Sequence, residues 1–399
     1  MDHRQTTPSP RTERSRHVHR TPGQRDDTMT STLPRELRSA RLRTLAALAV
    51  RSGDLSAASA AVDEALTRLV RDDVDLRTDP VTPLLRHAWE AADQPSDPPA
   101  LAPDESDEAL VLLSACCHGS LPEAARIALL MSVAGGLPTD EIACAFSVPD
   151  ETMERRLTWS QHRAGAWLRE PMAPEDRPER LGRVLDVLML VFDDGIVHPH
   201  CGADLPLEAS EMARVILEMF PGEAEPRALL AIMLLTRARR DARQADDGTM
   251  VPLGLQDRSL WHGDEIAEGL FLLRGSMREN RSGPYQLRAS IQAAHVTATE
   301  AADTDWDRIL ALHDQLMQVA PTDAVALSRA MTVAEVHGAE TALHAVERLP
   351  LDDHLFHATR ADLLARLGRT EEAERAWTAA VARVRGAQEH ARLRGDTER

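Results

Sequence analysis

Lysine is absent from this chain of 399 residues, so arginine carries every fixed positive charge on its side chains. That absence reads as the codon bias of a high-GC genome rather than as mechanism. Aromatic residues make up only 3% of the chain, which leaves leucine, alanine, valine and methionine to build its cores. Strand signals are sparse while alanine-rich helical spacing recurs throughout, so an all-α fold is expected. No apolar run reaches the ~18 residues of a membrane span, and no membrane partner is expected. The N-terminal stretch is rich in Arg, His and Pro without an apolar core, so no secretory signal is expected. The four cysteines fall in no framework spacing, a usage that suits a reducing cytoplasm. Phosphate loops, nucleophile motifs and triad patterns are missing, so neither an enzyme nor a cofactor is expected. His198, His200 and Cys201 lie close together but match no usual zinc spacing, so no metal is expected. Positive charge is in deficit, with a formal net charge of −18. Such a surface repels nucleic acid, so any DNA contact must come from a local group of arginines.

Hydrophobic residues make up 43% of the chain, and its length is too great for one ordinary core, so two or three domains are expected. Residues 1–32 are Pro, Ser, Thr, Arg and His with little apolar content and read as a disordered tail. Met29 stands just before the first helical pattern and is an alternative start. Residues 33–92 carry two stripes at helical spacing: Leu42, Leu45 and Ala49, then Ala58, Val62, Ala65 and Leu69, with Gly53-Asp54 as the break. Residues 93–108 hold four prolines and six acidic residues and read as an extended linker.

Residues 109–170 read as a helix-turn-helix domain. Ser120 and Glu123 have capping-box spacing ahead of a helix that ends at Gly135-Gly136. Thr139 to Phe146 reads as a short helix, broken by Ser147, Val148 and Pro149. Asp150 is placed to cap a second helix, which turns Met153, Leu157, Ser160 and Ala164 inward. Its other face carries Thr152, Arg156, Trp159 and Arg163, with Arg155 alongside. A second helix with an exposed basic face is what enters the DNA major groove. An ordinary corner of two packed helices has the same outline.

Residues 179–385 read as successive helices. Leu181 to Phe192 forms an amphipathic stripe, and Asp193-Asp194-Gly195 reads as its helix end. Ala228 to Leu235 is apolar all round, as for a helix packed on both sides. The arginines at 237, 239, 240 and 243 suit a helix C-terminus. Leu367-Gly368 through Glu372-Ala373 to Trp377 and Ala380 has the spacing of part of a tetratricopeptide repeat, whose helix pairs stack into a solenoid. Residues 386–399 read as a frayed C-terminus.

Taken in this order, these pieces resemble the extracytoplasmic-function sigma factors of the sigma-70 family that carry a tetratricopeptide-like C-terminal extension. The likeness covers about residues 35–385. It is strongest at Ala115-Cys116-Cys117-His118, Gly136 through Ala143, and Val148-Pro149 through Arg156-Leu157. Within the extension it is strongest at Leu234 to Arg243, Gln256 to Trp261, Gly283 to Leu287, and Ala302 to Trp306. The resemblance implies a region-2 domain over 33–92 that binds polymerase and reads the −10 element, with Asp63 and Glu64 as polymerase contacts. It implies a region-4 domain over 109–170 that reads the −35 element, with Thr152, Arg155, Arg156 and Arg163 as DNA contacts. Core RNA polymerase and promoter DNA are the implied partners, with a regulatory protein on the extension as a further one. The chain departs from the family pattern at Ser59 and Ala60, at Glu90, and at Glu154, Trp159 and Gln161, where basic or neutral residues are usual in region 4. Those departures leave a second reading open: a sigma-like interaction scaffold that no longer initiates transcription.

Overall fold

In the computed structural model, the first helix, α1 (Arg35–Ser52), is buried on nearly every side from Arg38 to Ala49, apart from the half-buried Arg43. A helix of that kind needs neighbours all round. It has them: α2 (Leu55–Arg71), α3 (Val81–Ala91), α4 (Ser106–Cys116) and α9 (Leu205–Met219) all pack on it. The structure describes residues 33–384 apart from 75, 77, 95–105, 171, 198–203, 246–248 and 279–281. The tail at 1–32, the C-terminus from 386, most of the 93–108 linker and the His198, His200 and Cys201 group lie outside the described residues. Among those described, seventeen α-helices and no strand are present, so the fold is all-α. No described helix is long and apolar enough to cross a membrane.

Local chemistry sets the element boundaries. Gly53 closes α1 in the left-handed region, at φ 70°, where a side chain would be strained. Asp54 then accepts from the Ala57 amide and starts α2. The stripes Leu42, Leu45, Ala49 and Ala58, Val62, Ala65, Leu69 are all buried, as their spacing predicts. Three local expectations fail. Ser120 does not cap α5 (Glu123–Leu130), and Asp150 does not cap α7 (Asp150–Gly165); Pro122 and Pro149 stand at those positions with no side-chain cap. Proline holds the preceding chain extended, so each helix begins at the residue after it. Asp150 instead sits in the first turn, where its charge suits the helix dipole. The stripe from Leu181 belongs to α8 (Arg177–Val197), which continues through Asp193-Asp194-Gly195 rather than ending there. Gly195 lets α9 approach, because a Cβ there would meet Leu205 and Pro206 at 2.5 Å.

One core runs from Ala40 through the helix-turn-helix to Val296. The all-apolar segment Ala228 to Leu235 lies in α10 (Ala224–Arg237), wholly buried among α8, α9, α11 (Gly263–Ser276) and α12 (Pro284–Thr297). Of the arginines near its end, Arg237 and Arg240 pair with Glu265 of α11 rather than serving only the helix dipole. Both ends of α12 are capped by side chains from elsewhere. The Glu225 carboxylate accepts from the Tyr285 and Gln286 amides at its N-terminus. Arg258 donates to the His295 and Ala298 carbonyls at its C-terminus. Beyond this body a separate core lies under helices over 306–383, each packed on its neighbour in sequence.

His295 gives the extension a testable pH response. Burial, with Arg239, His313 and Arg258 nearby, lowers its pKa from 6.5 to about 4. The unfolded chain therefore takes up a proton between those values that the folded chain refuses. Stability is expected to fall as pH drops through that window, by at most about 3 kcal/mol from this group. Urea midpoints between pH 7 and 4 should show a shallower acid loss for His295→Gln than for the parent; equal slopes would remove His295 as the cause.

Candidate nucleic-acid interface

Residues 139–165 build two helices around a tight turn. Pro138 leads into α6 (Thr139–Ala145), which buries Ile142 and Ala143. The turn passes through Ser147 at φ 51°, a left-handed conformation that reverses the chain between the helices. Pro149 then starts α7, which buries Met153, Leu157, Ser160 and Ala164. This inward set is the one the helical spacing predicts, so the opposite face is fixed as well.

That opposite face brings Thr152, Arg155, Arg156, Trp159 and Arg163 together. Arg155 is exposed and pairs with Glu151 at 3.2 Å, with its other nitrogen 3.4 Å from the Thr152 hydroxyl. Arg156 is half-buried, its guanidinium 5.3 Å over the Phe146 ring of the turn. Arg163 is exposed with its guanidinium 5.7 Å from the centre of Trp167, which in turn stacks on His118 at 3.9 Å. Aromatic rings thus hold two of the three guanidiniums in place before any ligand arrives, at a cation–π strength of about 0.5–1 kcal/mol each. Burial keeps the His118 ring below its ordinary pKa, so it adds no charge to this stack near neutral pH. The face can present guanidiniums to phosphates or base edges. It faces away from α2, which touches α7 through Ser56 and Gln161 at 3.0 Å.

Asp63 and Glu64 are both exposed on α2. Asp63 is more than half exposed yet held by Arg41 of α1 at 3.0 Å, and Glu64 pairs with Arg68 one turn on. Arg41 was invisible to motif reading. It is buried and also donates to the Ser132 and Val133 carbonyls at the end of the helix that precedes α6. Of the five arginines in α1, only Arg38 and Arg41 are buried. Burial raises the Cys116 thiol well above its ordinary pKa and the Cys117 thiol to about 12, so both are inert. Cys144 of α6 is disulfide-bonded and does not titrate. Sequence spacing says nothing of which thiols meet in space.

The two helices and their turn form a helix-turn-helix, and residues 115–158 match sigma-70, region 4, a match that supports a sigma-factor-like DNA-binding role. Residues 180–277 match a family of unknown function (DUF6596). An uncharacterized protein of Rhizobium meliloti (strain 1021), R00370, is 38% identical over 300 residues, spanning 72% of this chain and 70% of its own. The chain belongs to one family with that protein, and within it residues 115–158 carry a sigma-70 region 4.

Proposed function

We propose that this chain is an extracytoplasmic-function sigma factor that brings core RNA polymerase to promoter DNA. The observation that carries this reading is the outward face of α7, where Thr152, Arg155, Arg156 and Arg163 converge within a sigma-70 region 4. Region 2 is formed by α1 to α3, with Asp63 and Glu64 contacting polymerase. The helices beyond residue 179 form a tetratricopeptide-like extension that regulates or completes this activity and offers a surface to a regulatory protein. The work is done in the cytoplasm, a location that rests on the polymerase partner. Polymerase supplies the chemistry.

The packing supports a closed resting state. α2 touches α3 on one side and α7 on another, and helices are about 10–12 Å across. Elements at −10 and −35 lie roughly 25 base pairs, or about 85 Å, apart at ~3.4 Å per step. Regions 2 and 4 therefore have to separate before both elements are read at once.

The test is run-off transcription with core polymerase from a high-GC bacterium. In gel-shift titrations on the same promoter, Arg156→Ala and Arg163→Ala are each expected to lose about 1–3 kcal/mol of binding, the worth of an arginine on a guanine edge. Arg126→Ala, on α5, should bind as the parent does. Equal losses in all three would mean that only general charge matters. A scaffold is the second reading, favoured by the exposed Glu90 on α3, where the family's −10 helix is basic. Stable partner capture with no run-off product and no polymerase binding would select it.

A further inference from the structure

Trp159 is 45% exposed in the middle of the α7 face. Every other tryptophan of the chain is packed: Trp89 is buried, and Trp167, Trp261, Trp306 and Trp377 are half-buried. Among the described residues no guanidinium lies over the Trp159 ring and no other ring stacks on it, whereas Trp167 has both His118 and Arg163. An indole left in water on a helix otherwise covered by polar groups is a large unspent apolar surface.

Its setting says what would cover that surface. Helical spacing puts Arg155 and Arg156 one turn before Trp159 and Arg163 one turn after it. The indole is therefore ringed by three positive groups in a chain of net charge −18. An apolar centre with a cationic rim suits a polyanion that shows apolar groups between its charges. The B-DNA major groove, about 12 Å wide, admits a helix and offers one such group on its floor, the thymine C5-methyl. An arginine at this position would reach for a phosphate; an indole cannot.

We propose that Trp159 is a specificity-determining residue of the α7 interface, and that it reads a thymine by packing the indole on its C5-methyl group. This rests on the DNA-binding reading above and adds a base preference to it. The contact gives up one phosphate interaction and gains a base-dependent one. Affinity for arbitrary DNA is then lower, and the distinction between thymine and the other bases is greater.

The full-length chain is used to select duplexes from a random 16-base-pair pool. Each thymine of the selected site is then replaced in turn by deoxyuridine, which removes only the methyl group. The parent is expected to bind one of these duplexes about fourfold more weakly, the worth of one buried methyl group. Trp159→Ala should bind the thymine and deoxyuridine forms alike, with an unchanged helical circular dichroism spectrum. Trp159→Arg should also lose the methyl preference and steepen the dependence of log affinity on log salt by about 0.9, one more phosphate contact. The proposal is overturned if no deoxyuridine weakens the parent, or if Trp159→Ala keeps the same deoxyuridine sensitivity. It is also overturned if Trp159→Ala leaves DNA binding intact but loses co-purification with core polymerase, which would make the indole a protein contact. Failure to select any duplex would instead remove the DNA-binding reading itself.

Discussion

Deleting residues 179–399 is expected to abolish transcription and to leave an insoluble fragment. The reason lies in α8. Its buried side includes Leu181, Val184, Leu185, Val187, Leu188, Val191 and Phe192, and it packs on α4 and α5 of the helix-turn-helix region. Burying one such side chain contributes about 1.5–3 kcal/mol. Losing even half of this surface is therefore of the order of a domain's whole stability, about 5–15 kcal/mol. The cut also removes α9 from α1, exposing an apolar patch that favours aggregation. Ending the chain after Gly386 leaves every described helix whole and should be silent. The check is solubility by sedimentation, helicity by circular dichroism, and run-off transcription for the two truncations. A soluble, fully active 1–178 fragment would show that the extension is dispensable.

Much of this fold was legible because helical periodicity reports burial directly. The inward residues of α2 and α7, and the wholly buried segment Ala228 to Leu235 of α10, follow from apolar spacing alone. The helix starts at Glu123 and Asp150 were misread because serine and aspartate have strong capping chemistry, yet a neighbouring proline set the backbone. The arginine face of α7 was legible as a face. The rings beneath Arg156 and Arg163 were not, because Phe146 and Trp167 come from the turn and from beyond the helix end. The linker was read through Glu108, whereas α4 begins at Ser106, since Asp107 and Glu108 suit the first turn of a helix. Arg38 and Arg41 were least legible of all. A charged residue in a buried helix gives no hint of its charged partner, and here Asp63 and Glu208 lie 22 and 170 residues away.

The Arg38–Glu208 pair gives the second large effect. It joins α1 to α9 at 2.7 Å, with both side chains only 2% exposed. Arg38 also donates to the Leu33 carbonyl at 2.9 Å. Burial raises the Glu208 carboxyl above its ordinary pKa against the pull of Arg38, and the nearby Glu141 and Glu211 raise it further. Each charge is thus tolerable only because the other is there. Glu208→Gln in the full chain is expected to lower unfolding stability by about 3–5 kcal/mol, since it leaves the buried Arg38 guanidinium without its ion-pair partner. Arg38→Met with Glu208→Leu removes both charges and fills the space with apolar groups. That double variant is expected to recover most of the loss or to exceed the parent, because neither desolvation penalty remains. Urea unfolding of the parent, the single variant and the double variant reads the difference. An equal loss in both variants would mean that shape, not charge, holds α1 to α9. If the pair does act through charge, the double variant holds α1 on α9 more firmly than the parent does.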